Sequence, residues 1–406
     1  MYINVLSLFL FLNFSSCVCQ TGTNLKDLLT NLFTTNSYNK HARPKIDQSL
    51  PTTVTVDFYL AGISSLDEIA ESFTTSGYLQ IIWQDQYLTW TPSSYGNIND
   101  IYYSQDYVWK PGVSLQNGLG KMTEMGSTFI NVNVNYNGTV TWTPFEAFQT
   151  RCAVDTTFFP FDEQTCKLIF VCWSTKPIEV NMTTGTDDVQ LYDDFASNGE
   201  WSVTKLSSDV DNGDDDVQIT FSITIKRKSQ YFVLNIMLPI VLLSVLNIFT
   251  FIIPCNGGER ISYAITGWLA FAVFLTIVGS ILPRSASTTC VIEVYLMLQI
   301  LIGTLVVMIS AVEIRISVFS VEENKIPKLL KRLVLFLRRK RKTKVESSEG
   351  NEQNTQTGEH GHTFLVEHGP VSWENVISAV DFILFWVSLI VLFLTTLICF
   401  CYVATG

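Results

Sequence analysis

The sequence has 406 residues, of which 47% are hydrophobic and 16% charged, and its formal net charge is −11 at pH 7. Soluble globular proteins carry about 25% charged residues, so this chain is too apolar to be soluble throughout. Residues 21–225 hold 25 acidic and 10 basic side chains. This acidic segment argues against nucleic acid or anionic lipid as its partner and would attract cations instead.

The first 19 residues form a short apolar segment that ends in small side chains before Gln20. The segment is typical of a secretory signal peptide, although the usual basic n-region is missing, and a short membrane anchor is the alternative. A signal peptide would send the following domain outside the cell, where disulfides persist. The glycosylation sequons at Asn137 and Asn181 agree with that location.

Residues 20–230 are predicted to form an extracellular ligand-binding domain, an antiparallel β-sandwich preceded by a short helix. The leucines of residues 24–36 recur at helical spacing. From residue 50 to 228, short runs of alternating apolar and polar residues are separated by Gly, Pro, Asn and Asp, which is typical of a β-sandwich.

Four apolar segments follow, each long enough to cross a bilayer as a helix, at 231–253, 261–282, 291–319 and within 373–406. Between the last two lies a loop, 320–372, that begins with a basic amphipathic helix at 325–344 carrying ten Lys and Arg residues and no acid. The positive-inside rule makes this loop cytoplasmic, so both termini are extracellular. We expect a multi-pass protein of the plasma membrane with a four-helix transmembrane bundle.

Cys152 and Cys166 enclose thirteen residues that include the sequence Phe159-Pro160-Phe161-Asp162. This segment resembles the signature loop of Cys-loop ligand-gated ion channels, the superfamily of the nicotinic receptors. Further positions that match the family pattern are Trp83, Asp85, Leu88, Trp90, Trp109, Pro111, Trp201, Arg227 and Pro239.

The resemblance implies a disulfide between Cys152 and Cys166 and a pentameric ring. It also implies partners: four further identical or related subunits, a small-molecule agonist, membrane lipid, and monovalent cations, with divalent cations left open. No cofactor, metal ion or nucleic acid is expected. The residues to which it assigns a role in coupling ligand binding to gating are Phe159, Pro160, Phe161, Asp162 and Arg227.

The second apolar segment has the chemistry of a pore-lining helix. Its hydroxyl and apolar residues at steps of 4, 3, 4, 3 and 4 share one helix face: Ser262, Thr266, Leu269, Val273, Thr276 and Ser280. Hydroxyls near the inner end can replace part of an ion's hydration shell, and a ring of Leu269 and Val273 would form a hydrophobic gate.

Glu259, immediately before this helix, would form a ring of carboxylates at the cytoplasmic mouth, which favours cations. The alternative is an ordinary acidic residue that stabilises a helix start. Anion channels of the family carry Pro-Ala-Arg at this point, where this chain has Gly258-Glu259-Arg260. The resemblance also implies that Arg260 points away from the pore. Ser280 leaves the outer ring neutral.

Nicotinic sites surround an ammonium group with aromatic rings. By the resemblance, Trp173 corresponds to the principal-face tryptophan and Tyr78 to an aromatic residue of the complementary face, although both could be core residues. Gln116 stands where the family has a tyrosine, and Asp216 stands near another such position. Residues 202–218 contain no Tyr, no Phe and no adjacent Cys pair.

Much of the aromatic cage is therefore missing, and two interpretations remain open. The chain resembles the divergent chemotactile branch of nicotinic-like receptors in cephalopods, which implies a chemosensory receptor for hydrophobic ligands. Alternatively, it is an accessory or complementary subunit of a heteromeric acetylcholine receptor. An enzyme is not expected, since no catalytic constellation is present, and the uncharged second segment argues against a transporter.

Overall fold

The computed structural model describes residues 20–173, 175–186, 188–213, 216–255, 258–281, 289–319 and 373–405, together with 327, 330, 332, 334 and 335. The predicted signal peptide, most of the predicted cytoplasmic loop and the outer end of the second apolar segment lie outside these residues. The described residues form two compact units. The first ends at Ala153 and resumes over Gln164–Ile225; the second contains Val154–Glu163 and the residues from Lys226 onward.

The first unit opens with helix α1, Gly22–Leu29, which continues as a π-helical turn over Thr30–Thr35. The hydroxyl of Thr21 accepts a hydrogen bond from the backbone N–H of Asn24 and so caps the helix start. Leu28 and Leu32, four residues apart, are fully buried, and they attach this helix to the unit. The predicted short N-terminal helix is thus present.

Twelve strands follow, with alternating burial along most of them. They are β1 Thr52–Asp67, β2 Ser72–Gln84, β3 Asp100–Ser104, β4 Val113–Leu115, β5 Asn131–Asn135, β6 Thr139–Trp142, β7 Phe145–Arg151, β8 Glu163–Cys172, β9 Val180–Thr183, β10 Gln190–Ala196, β11 Trp201–Asn212 and β12 Val217–Arg227. Short 3₁₀ turns span Pro92–Tyr95 and Gln105–Tyr107.

The strands form an eight-stranded sheet and a four-stranded sheet, as expected for a β-sandwich. The larger sheet has the order β10-β1-β2-β6-β5-β3, with β7 added to β2 and β9 to β1; the smaller has the order β11-β12-β8-β4. The pairings are mainly antiparallel, but β9 and β10 run parallel to β1. Gly138, at φ +88°, allows the turn between β5 and β6.

The core of this unit lies between the two sheets. Phe58 and Phe148 of the larger sheet meet Phe170 and Phe221 of the smaller, with neighbouring ring centroids 5.4–5.9 Å apart. Tilted and edge-on aromatic pairs of this kind contribute about 0.5–1.5 kcal/mol beyond the burial of their area. The alternation seen in the sequence therefore directs one side of each strand into a shared aromatic core.

Four long apolar helices dominate the second unit: α2 Gln230–Ile252, α3 Glu259–Ile281, α4 Val291–Phe319 and α5 Trp373–Thr405. Each is long and apolar enough to cross a membrane. A cluster of buried side chains from all four holds the helices together, with Ile240, Phe271, Leu296 and Cys399 among its members.

Helix α2 is not a regular α-helix at its start. Residues Val233–Met237 are π-helical, and Pro239 lies two residues after this segment. Proline has no N–H to donate, and its ring crowds the carbonyl four residues earlier, so the hydrogen-bond ladder shifts at this point. The side chain of Asn235 donates to the carbonyl of Tyr231 at 2.9 Å within this segment.

Candidate functional site

The predicted pore-lining residues of α3 share one face, and none of them is buried by the chain's own bundle. Leu269 is 55% and Val273 50% exposed, whereas Ala264, Phe271 and Val278 are buried on the opposite face. The remaining four, which are also exposed, are Ser262, Thr266, Thr276 and Ser280. This face has no partner among the described residues of the subunit.

The hydroxyl groups on this face are oriented by the helix backbone. Thr266 donates to the carbonyl of Ser262 at 2.8 Å, Thr276 to Val273 at 2.7 Å and Ser280 to Ile277 at 2.7 Å. Because each hydroxyl proton is used inside the helix, the oxygen lone pairs are left to accept from outside. An array of acceptors is the chemistry that coordinates a cation.

The first turn of α3 separates two opposite charges. Glu259 is exposed, whereas the side chain of Arg260 is fully buried. The guanidinium of Arg260 forms ion pairs with Glu313 of α4 and Asp381 of α5, each at 2.6 Å. Arg260 therefore points into the subunit's own bundle, as the resemblance implied.

Trp173 follows directly on strand β8 and is 63% exposed, so it is not a core residue. Its backbone N–H donates to the carbonyl of Gly112, whereas Gln116 pairs with Ile169. Trp173 and Gln116 are thus four positions apart along the β4–β8 ladder, roughly 13 Å at the rise of a strand. The structure does not bring these two predicted ligand-binding residues together.

Gln116 lies instead beside a separate cavity of about 290 Å³, whose lining includes Lys121, Met122 and Glu146. Asp216 is exposed beside the tip of the β11–β12 hairpin, where its carbonyl accepts from the N–H of Gly213 at 3.1 Å. Neither residue has a described contact with Trp173.

Tyr78 is part of a tyrosine patch that the sequence analysis missed. Its ring stacks on that of Tyr59, with centroids 4.6 Å apart and planes at 5°, and meets the edge of Tyr192 at 6.0 Å. Burial is the largest of the effects that raise the pKa of Tyr78. The neighbouring Tyr59, Tyr192 and Asp193 raise that pKa further. Tyr59 and Tyr78 are direct cross-strand partners, so the strand pairing would have revealed the patch.

Phe145 extends this patch on the other side of Tyr78, which it faces across the β2–β7 ladder. Phe145 is 54% and Tyr192 40% exposed. The tyrosine patch belongs to the larger sheet, whereas Trp173 follows a strand of the smaller sheet. Trp173 and Tyr78 thus stand on different sheets of the chain.

The predicted disulfide joins Cys152 to Cys166, with their Cα atoms 5.2 Å apart. The tip of the loop that it closes belongs to the second unit. There the N–H of Val291, at the start of α4, donates to the carbonyl of Thr157, and the ring of Phe158 lies 5.7 Å from that of Tyr402 on α5. Phe159 is 2% exposed and joins the buried cluster of the helices.

The loop also contacts the start of α2. Arg227 donates from Nε to Asp162 Oδ1 at 2.7 Å and from Nη2 to Asp162 Oδ2 at 3.1 Å. Its guanidinium lies 5.0 Å from the ring of Phe159 and 5.4 Å from that of Phe232. Phe161 packs against the same cluster, and Pro160 lies between the two phenylalanines in sequence. The loop tip thus contacts three membrane helices.

Comparison with known proteins gives two family matches that together cover most of the chain. Residues 25–229 match the neurotransmitter-gated ion-channel ligand binding domain, and residues 236–372 match the neurotransmitter-gated ion-channel transmembrane region. The chain belongs to the neurotransmitter-gated ion-channel family. Members of this family are ligand-gated channels rather than enzymes, in agreement with the sequence analysis.

Similar proteins in this family are subunits of neuronal acetylcholine receptors. The chain is 30% identical to the rat beta-2 subunit over 311 residues, 30% identical to the chicken beta-4 subunit over 315, and 29% identical to the human alpha-6 subunit over 332. These alignments cover 76%, 77% and 80% of this chain, but 62%, 66% and 66% of the relatives. The chain therefore spans less than two thirds of the length of these neurotransmitter-gated channel subunits.

The family match and the four apolar helices make this chain a multi-pass membrane protein, with a ligand-binding domain of the extracellular type. The glycosylation sequons lie in that domain: Asn137 is exposed and Asn181 half-buried. Cys172, at the end of β8 in the same domain, is a buried free cysteine, and burial raises the pKa of its thiol to about 12. A thiol that stays protonated is a poor nucleophile and metal ligand, so Cys172 is a structural residue.

Proposed function

We propose that this chain is one subunit of a pentameric, cation-selective, ligand-gated ion channel, with the exposed face of α3 lining the pore. The observation that carries the proposal is the combination on that face of outward hydroxyl acceptors, two exposed apolar residues and Glu259 at one end. Five copies would arrange the acceptors as rings around a water-filled path, with Leu269 and Val273 as a constriction that closes by dewetting.

The contacts of the loop that contains Asp162 support a mechanism for gating. Its tip touches Arg227 at the end of β12 through Asp162, α2 through Phe232, α4 through Val291, and α5 through Tyr402. A displacement of the loop after ligand binding would therefore act on three helices at once, and through their packing on α3. We assign the coupling role to Phe159, Pro160, Phe161, Asp162 and Arg227 on this basis.

The test is two-electrode voltage clamp of oocytes that express this chain alone. We expect agonist-evoked current whose reversal potential follows the sodium gradient, and whose inward component is lost when sodium is replaced by a large organic cation. A reversal potential that follows chloride would contradict cation selectivity. Surface expression, checked by biotinylation, shows whether an absence of current reflects the channel or its delivery.

We further propose that the ligand is a poorly soluble, hydrophobic molecule rather than acetylcholine, which would make this chain a chemosensory receptor. The support is the absence of aromatic residues from the 202–218 hairpin and the presence of Gln116 at a position where the family has tyrosine. Trp173 and Tyr78 would then supply apolar contact area from two adjacent subunits. Application of acetylcholine and of a panel of hydrophobic compounds distinguishes the two ligand classes.

A second function, that of a complementary subunit in a heteromeric acetylcholine receptor, is favoured by the tyrosine patch of Tyr59, Tyr78 and Tyr192. Stacked tyrosines can supply one side of a cation-binding cage while a partner supplies the other. This function predicts silence when the chain is expressed alone and acetylcholine-gated current when it is co-expressed with a neuronal alpha subunit. As a control, substitution of Tyr78 should reduce this acetylcholine-gated current.

A further inference from the structure

A buried charge cluster lies between α3, α4 and α5, next to the residue proposed to select cations. Arg260 Nη2 donates to Glu313 Oε2 and to Asp381 Oδ1, both at 2.6 Å, and Nη1 donates to Asp381 Oδ2 at 3.1 Å. Nη1 also donates to Cys255 Sγ at 2.8 Å. The guanidinium is therefore held by three groups, one of which forms a bidentate pair with it.

The side chains of this cluster are almost completely shielded from solvent. The side chain of Arg260 is 0% exposed, that of Glu313 7% and that of Asp381 13%. The ring of Phe251 covers the guanidinium at 5.5 Å. A charge in such surroundings is tolerated only while it is paired, because the loss of the partners leaves the full cost of its desolvation.

Arg260 follows Glu259 in the first turn of α3, about 100° further around the helix. Its long, flexible side chain can move its charged end to water while the stem stays in place. If its partners were removed, the Arg260 side chain would therefore reorient until its guanidinium reached the nearest solvent-exposed surface. At this turn of the helix, the exposed side already carries Glu259, the residue assigned to the inner mouth of the pore.

We propose that Glu313 and Asp381 are selectivity-determining residues, which act by holding Arg260 out of the pore mouth. While the cluster is intact, the ring at the mouth consists of Glu259 carboxylates alone and is net negative. If the acids are neutralised, each subunit adds one guanidinium to the same ring and cancels one carboxylate. This inference rests on the proposed cation-selective channel and adds two residues, on α4 and α5, that are remote in sequence from the pore helix.

The experiment compares three channels under sodium chloride dilution: wild type, E313Q/D381N and R260Q/E313Q/D381N. Current is evoked by acetylcholine or the hydrophobic panel, or is recorded as standing current in a Leu269→Thr background. We expect the wild-type reversal potential to follow sodium. In the double variant it should move towards the chloride equilibrium potential, and single-channel conductance should fall several-fold. The triple variant should return both measurements to the wild-type values.

The triple variant separates this electrostatic effect from general damage to the fold, because it removes the released charge without restoring the cluster. A double variant that follows sodium like wild type overturns the inference. Equal shifts in the double and triple variants also overturn it, since the displaced arginine would not then be the cause. A wild-type channel that follows chloride, or never conducts, overturns the proposed function and this inference with it.

If the double variant fails to reach the surface, the same comparison uses D381N against R260Q/D381N. Glu313 still holds one side of the guanidinium in D381N, so a smaller shift in the same direction is expected. That shift must again disappear when Arg260 is removed. Retention of full sodium selectivity by surface-expressed D381N, with conductance equal to that of wild type, would count against the inference.

Discussion

Asp162 and Arg227 are 65 residues apart in the sequence, yet they form a bidentate ion pair in which the two side chains are 2% and 1% exposed. The pair joins the loop closed by the disulfide to the strand end that leads into the first membrane helix. Breaking a buried pair of this kind costs about 3–5 kcal/mol, because it leaves an unpaired charge without water.

We therefore expect Asp162→Asn to abolish agonist-evoked current or to prevent surface expression. D162N/R227Q, which leaves neither charge, should recover surface expression more fully than either single variant. Surface biotinylation and current per surface subunit provide the two measurements. Glu163→Gln, at the exposed neighbouring position, is the control and should behave like wild type. Normal gating in Asp162→Asn would contradict the coupling role.

Leu269→Thr should raise agonist sensitivity or produce a standing current, since a hydroxyl at the constriction lets water remain in the closed pore. Leu275→Thr is the matched control, because Leu275 packs towards the subunit's own bundle. That variant should lower expression without changing sensitivity. Dose-response curves and the leak current measured in oocytes check both expectations. Unchanged gating in Leu269→Thr would show that the constriction lies elsewhere.

Glu259→Gln should reduce single-channel cation conductance and shift the reversal potential towards chloride, because it removes the carboxylate ring at the inner mouth. Glu293→Gln is the matched control: Glu293 is also an acidic residue in the first turn of a membrane helix, but on α4. If both substitutions had the same effect, Glu259 would act only as a helix-start acid. Single-channel recording in diluted sodium chloride distinguishes these outcomes.

Tyr78→Ala and Trp173→Ala should each weaken agonist potency, by about two- to thirty-fold if each ring contributes 0.5–2 kcal/mol. Tyr102→Ala is the control, since Tyr102 is a 69% exposed tyrosine on the same sheet but outside the tyrosine patch. The half-maximal agonist concentration is the measurement. Unchanged potency in Tyr78→Ala would remove the tyrosine patch from the ligand site.

Cys152→Ser with Cys166→Ser should destabilise the first unit by about 2–4 kcal/mol, the usual contribution of a disulfide, and reduce the amount of receptor at the surface. Cys172→Ser should have little effect. Because burial raises the pKa of Cys172 to about 12, its thiol stays protonated at neutral pH and should resist maleimide until the protein is denatured. Rapid labelling of the intact receptor at Cys172 would contradict its buried environment.

The sequence by itself determined the features of this protein that depend on amino-acid composition and on the spacing of residue types along the chain. The bilayer excludes charge over the length of a helix, so four spans can be recognised without a structure. An α-helix has a fixed number of residues per turn. The spacing alone therefore placed Ser262, Thr266, Leu269 and Val273 on one face. The pairing of Cys152 with Cys166 followed from the resemblance to the family.

Tertiary structure decided which of these elements become neighbours. The partners of Arg260 lie 53 and 121 residues further along the chain, and no local pattern identifies them. The stacking of Tyr59 on Tyr78 depends on the register of β1 with β2, and the separation of Gln116 from Trp173 depends on the register of β4 with β8. Such contacts depend on how strands align and helices pack, because a residue fixes its own conformation but not the position of a distant partner.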